Sequence, residues 1–196
     1  MKTKIPPPLF FFVFALIFNF INSIKAAEIP AIVRDWAAYA GHTDSAFKAP
    51  VASDTNYTYV ASFTINSGTG ADILLVKYDK DGIKQWEKVW TGPGAGRDQA
   101  TGIVLTNDDI YICGFSYTSS VNDYDMVTLK YKKDGTFEWA STFNGPGSSY
   151  DGAAAIALNA SGLYVAGVIN NTTSSSLDYG LIRYDMSSGT TLECVL

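Results

Sequence analysis

One phrase of residues recurs along this chain, and that recurrence limits the fold more than any single residue does. Gly82-Ile83-Lys84-Gln85-Trp86 matches Gly135-Thr136-Phe137-Glu138-Trp139. Upstream, Asp72-Ile73-Leu74-Leu75-Val76-Lys77-Tyr78 matches Asp125-Met126-Val127-Thr128-Leu129-Lys130-Tyr131. A third copy reads Asp178-Tyr179-Gly180-Leu181-Ile182-Arg183-Tyr184. Downstream, Gly92-Pro93-Gly94 recurs as Gly145-Pro146-Gly147, and Asp98 recurs as Asp151. Trp36 is a weaker, earlier instance of the tryptophan. A period of about 50 residues means a stacked or radial array, whose units bury their faces against one another.

Each unit carries four short strand signals. In the second unit these are Thr101 to Thr106, Ile110 to Phe115, Asp125 to Lys132 and Thr136 to Phe143. Asn107-Asp108-Asp109 and Lys133-Asp134-Gly135 separate them, and Asp-Gly supplies the positive φ of a tight hairpin. The runs are rich in Val, Ile, Tyr, Phe and Thr, which suit a half-buried pleated surface, and no helical period is sustained. The fold class expected is therefore all-β, with four-stranded antiparallel blades of a β-propeller. A solenoid is the other repeat architecture, but its units are normally shorter and are not joined by successive hairpins. The blade units run over about 36–85, 86–138 and 139–196. The last is expected to be truncated, because no tryptophan stands near position 193 and most of the outer strand is missing. An isolated strand at Ala31 to Tyr39 would close only a three-bladed ring. Closed propellers have about four to eight blades, so an incomplete propeller is expected, part of a longer one or completed by self-association.

The order D-x4-[K/R]-Y, D-G-x3-W, N-G-P-G and then [L/I]-Y-[V/I]-x-G resembles the bacterial β-propeller repeat called the SBBP repeat. The resemblance covers nearly all of Trp36 to Tyr184 and is complete in the second unit. The first unit departs from it: Gly41-His42-Thr43 replaces Gly-Pro-Gly, and Ser62 replaces the glycine seen at Gly114 and Gly167. The resemblance implies a secreted or surface protein with propeller domains, and no single activity.

The first 26 residues read as a secretory signal peptide: Lys2 and Lys4, an apolar run from Leu9 to Phe20, and a small residue at Ala26. An uncleaved anchor is the alternative. The propeller repeat region is then 27–196. Lys2, Lys4 and Lys25 leave with the leader, so 11 basic residues face 19 acidic ones, a net charge of −8. That balance argues against nucleic acid and anionic membrane as partners. Of the two cysteines, Cys113 lies in a strand signal where the other units have Ala61 and Ala166 and reads as a small buried hydrophobe. A Cys113–Cys194 disulfide is permitted outside the cell, although spacing does not indicate one.

No residue set points to catalysis, and no cofactor or metal is indicated. His42 is the only histidine, so a serine triad or a histidine metal site lacks material. Asp72, Asp125 and Asp178 could form a ring of carboxylates; the structural reading is that each begins a strand and caps a loop. In Lys77-Tyr78, Lys130-Tyr131 and Arg183-Tyr184, one residue of each pair is expected to face the packing and the other water. Asp79-x-Asp81-Gly82 resembles part of a calcium loop without its downstream acid. Trp86 and Trp139 are expected to pack between blades, and Gly82 and Gly135 to occupy turns. The expected function is a non-catalytic scaffold for a protein or glycan ligand. The alternative is a fragment of a propeller enzyme, either a quinoprotein-like dehydrogenase or a glycan-active enzyme.

Overall fold

The computed structural model describes residues 49–118, 123–147, 150–170 and 177–195. The leader, Trp36, His42, the strand expected at Ala31 to Tyr39 and most of the Ser/Thr/Asn-rich loops lie outside the described residues. Within them the protein is all-β. Sheet I comprises β1 (Val51–Ser53), β2 (Tyr57–Asn66), β3 (Gly70–Asp79) and β4 (Lys84–Trp90). Sheet II comprises β5 (Gln99–Leu105), β6 (Asp109–Tyr117), β7 (Tyr124–Lys132) and β8 (Phe137–Phe143). Sheet III comprises β9 (Gly152–Asn159), β10 (Gly162–Asn170), β11 (Leu177–Tyr184) and β12 (Thr191–Val195). Strands pair antiparallel in chain order within each sheet.

The register repeats as the sequence does. Lys77 pairs with Trp86, Lys130 with Trp139, and Arg183 with Glu193, and each pair is followed at once by a bulge. Glu193 therefore stands where the repeat has tryptophan. The outer strand of the third unit, expected to be mostly missing, is present as β12. It is shorter than β4 and β8 but pairs in the same frame, because backbone hydrogen bonds need no tryptophan.

Sheet II packs between the other two. On one side Ile110, Ile112, Val127, Leu129 and Tyr131 meet Tyr59, Ala61, Ile73 and Leu75 of sheet I. On the other, Tyr111, Cys113 and Met126 meet Leu163, Val165, Ile169, Ile182 and Tyr184 of sheet III. A strand alternates its side chains between faces, so a sheet covered on both faces buries every residue in turn. This corrects the expectation for the Lys-Tyr pairs. In sheet II neither member faces water: Lys130 is 6% exposed and Tyr131 3%. Tyr184 is likewise buried, while Tyr78 is half-buried. Sheet III has one described face uncovered. Met126 is 0% exposed in β7, and its counterpart Tyr179 in β11 is 65% exposed.

Hairpin glycines link sheet I to sheet II and sheet II to sheet III. Gly82 and Gly135 close the β3–β4 and β7–β8 turns with φ of 77° and 93°. A Cβ on Gly135 would lie 3.3 Å from the ring of Trp86, and one on Gly189 would lie 2.6 Å from Trp139. Each tryptophan thus packs beneath the turn of the following sheet. We expect Gly135→Ala to lower stability by about 1 kcal/mol, from the left-handed backbone alone, measured by urea denaturation. No loss would mean that the turn re-forms in another geometry.

The strand glycines Gly114 and Gly167 have a steric reason. A Cβ on Gly114 or Gly167 would strike the carbonyl of Gln99 or Gly152, where the inner strand bulges past. In sheet I the corresponding position of β2 is Ser62, and the described β1 pairs with β2 from Val51 opposite Val60.

Candidate functional site

The polar residues of the repeat gather at the two ends of the seams between sheets. At one end sits a carboxylate clasp. Asp98 is fully buried and accepts from the amides of Gly92 (2.6 Å) and Tyr117 (3.1 Å) and from the Ser116 hydroxyl (2.7 Å). Its own amide donates to the carbonyl of Ala71 in sheet I (2.6 Å). Asp151 does the same one unit later: it accepts from Gly145 (2.7 Å) and Asn170 (2.6 Å) and donates its amide to Tyr124 of sheet II (2.6 Å). The Gly-Pro-Gly segments are therefore receptors for these aspartates. A Cβ at Gly92 would sit 2.6 Å from the Asp98 carboxylate.

Parallel bridges Ala71–Arg97 and Tyr124–Tyr150 then set Asp72 beside Asp98 and Asp125 beside Asp151. Asp72 accepts from Thr69 (2.9 Å) and Asn66, which is the loop-capping geometry expected of it. Asp125 is 8% exposed, and its Oδ1 has no partner among the described residues. Burial, with Asp123 and Asp151 nearby, pushes its pKa up to about 6. Burial also raises Asp98 and Asp151. Asp178, near the start of β11, is exposed. The aspartates so pair across seams, and among the described residues no three acidic, histidine or cysteine side chains converge as cation ligands.

The loop with calcium-like spacing is a turn. Asp79 accepts from the amides of Asp81 and Ile83, both at 2.9 Å, and from the Gln85 side chain at 2.8 Å. Cys113 and Cys194 are not joined in a disulfide; the first is buried and the second exposed.

The opposite end of each seam is built from lysine. Lys77 Nζ donates to the carbonyl of Lys133 in sheet II (2.9 Å), and Lys130 Nζ donates to the carbonyl of Met186 beyond β11 (3.1 Å). Around that shared bond the two seams differ. Between sheets II and III, Asp109 meets Lys130 at 3.3 Å and Lys132 at 2.9 Å. The Tyr111 hydroxyl donates to Asp109, and also lies within reach of the Met186 carbonyl, each at 3.3 Å. The Lys130 ammonium, the Asp109 carboxylate and the Tyr111 hydroxyl there all have partners.

Between sheets I and II, Tyr57 occupies the position of Asp109, two residues before the tyrosine that pairs with the lysine. Lys77 lies 3.8 Å above the Tyr57 ring. The hydroxyl of Tyr59, the counterpart of Tyr111, has no partner among the described residues. Beside it opens a cavity of about 210 Å³ lined by Asp54, Thr55, Asn56, Tyr57, Tyr59, Lys77, Asn107 and Lys133. Asp54 caps its own turn through the amides of Asn56 and Tyr57 (both 3.0 Å) and pairs with Lys133 (2.8 Å). The Lys133 ammonium holds Asp54 down at about 2. Burial lowers the pKa of Lys77 and raises that of Tyr59 to about 12. Two ammonium groups and one carboxylate leave the cavity with a net positive charge in an acidic protein.

None of these lining residues was singled out in the sequence as a ligand site. Lys77 appeared there only as repeat consensus, and the signal that distinguishes the pocket is the exchange of Asp109 for Tyr57. Comparison with protein-family models finds no match, and comparison with curated proteins finds none either.

Proposed function

We propose that this protein is a non-catalytic binding scaffold of the β-propeller type, working outside the cell. The propeller reading is supported by three sheets of one strand order, stacked through seams that repeat the same lysine, tryptophan and aspartate contacts. The resemblance of the repeat to SBBP sequences supports it too. The uncovered face of sheet III carries Leu177, Tyr179 and Val195, all exposed. Its counterpart in sheet II is covered by a following sheet, so a further blade of the same type is the surface that matches it. The leader-like first 26 residues support secretion.

The observation that carries the binding function is the open, lysine-lined cavity between sheets I and II, to which side chains from two repeats contribute. Its polar groups are suited to holding a ligand. The hydroxyl beside them is a tyrosine whose pKa burial raises, which opposes nucleophilic use. The test is calorimetric titration with a panel of neutral and acidic saccharides, followed by recovery of the ligand. Saturable binding with the ligand recovered unchanged is expected. Recovery of a cleaved or oxidised product would overturn the reading.

A further inference from the structure

The cavity's chemistry can be read from the chain itself, because the second seam contains the same site in a filled state. There the Asp109 carboxylate neutralises Lys130 and accepts from the Tyr111 hydroxyl. In the first seam the lysine and tyrosine remain, the carboxylate is replaced by the Tyr57 ring, and the Tyr59 hydroxyl is left without a partner. A buried hydroxyl without a partner costs about 1–3 kcal/mol. An ammonium carries three donors, and the one bond shown for Lys77 goes to the Lys133 carbonyl. Asp54 does not fill the gap, since its oxygens are taken by Lys133 and by its own turn.

We propose that this cavity binds a small hydroxylated carboxylate of the uronic acid class, whose carboxylate faces Lys77 and Lys133 from the open side and offsets their charge as Asp109 offsets that of Lys130 in the second seam. The inference rests on the reading of the protein as a binding scaffold and names the ligand chemistry of that site. The charge fits an anion: burial lowers the pKa of Lys77, and an anion against it restores the charged form. The size fits one sugar unit. About 210 Å³ is below the roughly 300 Å³ at which drug-sized pockets begin. The amides of Asn56 and Asn107 provide donors and acceptors for ring hydroxyls.

The probe is D-glucuronate, titrated at constant ionic strength and followed by amide chemical shifts and calorimetry. Saturable shifts confined to residues 54–59, Lys77, Asn107 and Lys133 are expected. Tyr57→Asp places a carboxylate where the second seam has one. It should weaken glucuronate binding at least tenfold while raising the melting temperature. Lys77→Met should also weaken binding at least tenfold, and Arg97→Met, at the opposite, carboxylate end of the same seam, should leave it unchanged. Undiminished binding in Tyr57→Asp overturns the proposal. So does an equal response to glucose, an equal response to chloride, or acetate binding as tightly as glucuronate. Saturable binding of neutral saccharides that leaves the cavity resonances unmoved overturns this inference and keeps the scaffold. Binding of no saccharide at all overturns this inference, whereas recovery of a cleaved or oxidised product overturns the scaffold reading.

Discussion

Asp98→Ala is expected to destabilise the protein by about 3–5 kcal/mol. A hydrogen bond to a charged group contributes roughly 1.5–3 kcal/mol, and a buried donor left without its acceptor costs about 1–3 kcal/mol. The substitution orphans the amides of Gly92 and Tyr117 and the hydroxyl of Ser116 at once. Burial of the carboxylate works against these bonds, as its raised pKa records, which keeps the expected loss below their simple sum. Asp98→Asn retains an acceptor but turns an amide group toward donors, so its loss should be smaller. Asp151→Ala should behave like Asp98→Ala, since it orphans the amides of Gly145 and Asn170 in the next seam. The two sites share no partner, and distant sites combine nearly additively. Domains are stable by only about 5–15 kcal/mol, so the double variant should be largely unfolded at room temperature. Urea denaturation followed by tryptophan fluorescence measures all four variants. A loss under about 1 kcal/mol in Asp98→Ala would mean that the clasp is replaced by water and does not hold the seam.

The sequence made the strands and their order readable, because a repeat states each hairpin two or three times over. The turn glycines, the Asp-Gly hairpins and the tryptophan frame all lie where local rules put them. The faces were harder to read. A Lys-Tyr pair looks like one buried and one wet residue if a sheet has a single dry face, and the double burial of Lys130 and Tyr131 follows only once sheet II has a neighbour on each side. The third outer strand was missed for a related reason. The tryptophan was taken as the mark of the strand, but the strand is set by pairing to β11, and Glu193 fills the tryptophan position at an exposed edge. The cavity was the least legible feature. It arises where repeats differ, at Tyr57 against Asp109, and a reading that looks for what recurs passes over what does not. Its walls also come from residues more than 50 positions apart, such as Lys77 and Lys133, which meet only after the sheets stack.

Between pH 4 and 7 the protein is expected to lose stability as the pH rises, by about 2 kcal/mol from Asp125. The folded state holds this group's pKa up at about 6, against 3.8 for the ordinary carboxyl. Folded protein therefore binds the proton more tightly than unfolded chain. The stabilisation is fully present below the unfolded value and is lost as the pH rises through the folded one. The full shift corresponds to about 3 kcal/mol, and partial solvation reduces this to about 2. Asp98 and Asp151 are raised by burial in the same direction and steepen the slope. Asp54 and Asp185, both lowered to about 2, act oppositely. Their contribution is present above the usual carboxyl range and disappears in stronger acid. Stability should thus pass through a maximum near pH 4 to 5, lower than for most domains. Asp125→Asn separates the causes. It removes the charge that burial and its neighbours Asp123 and Asp151 disfavour, so the variant should exceed the parent in stability at pH 7 and approach it at pH 4. The slope that remains belongs to Asp98 and Asp151. Denaturation midpoints at pH 4, 5, 6 and 7 decide the matter. A parent whose stability rises steadily to pH 7 would show that the seam carboxylates are hydrated and ionised at their ordinary pKa. The pairing of Asp125 with Asp151 across the seam would then contribute no strain to the fold.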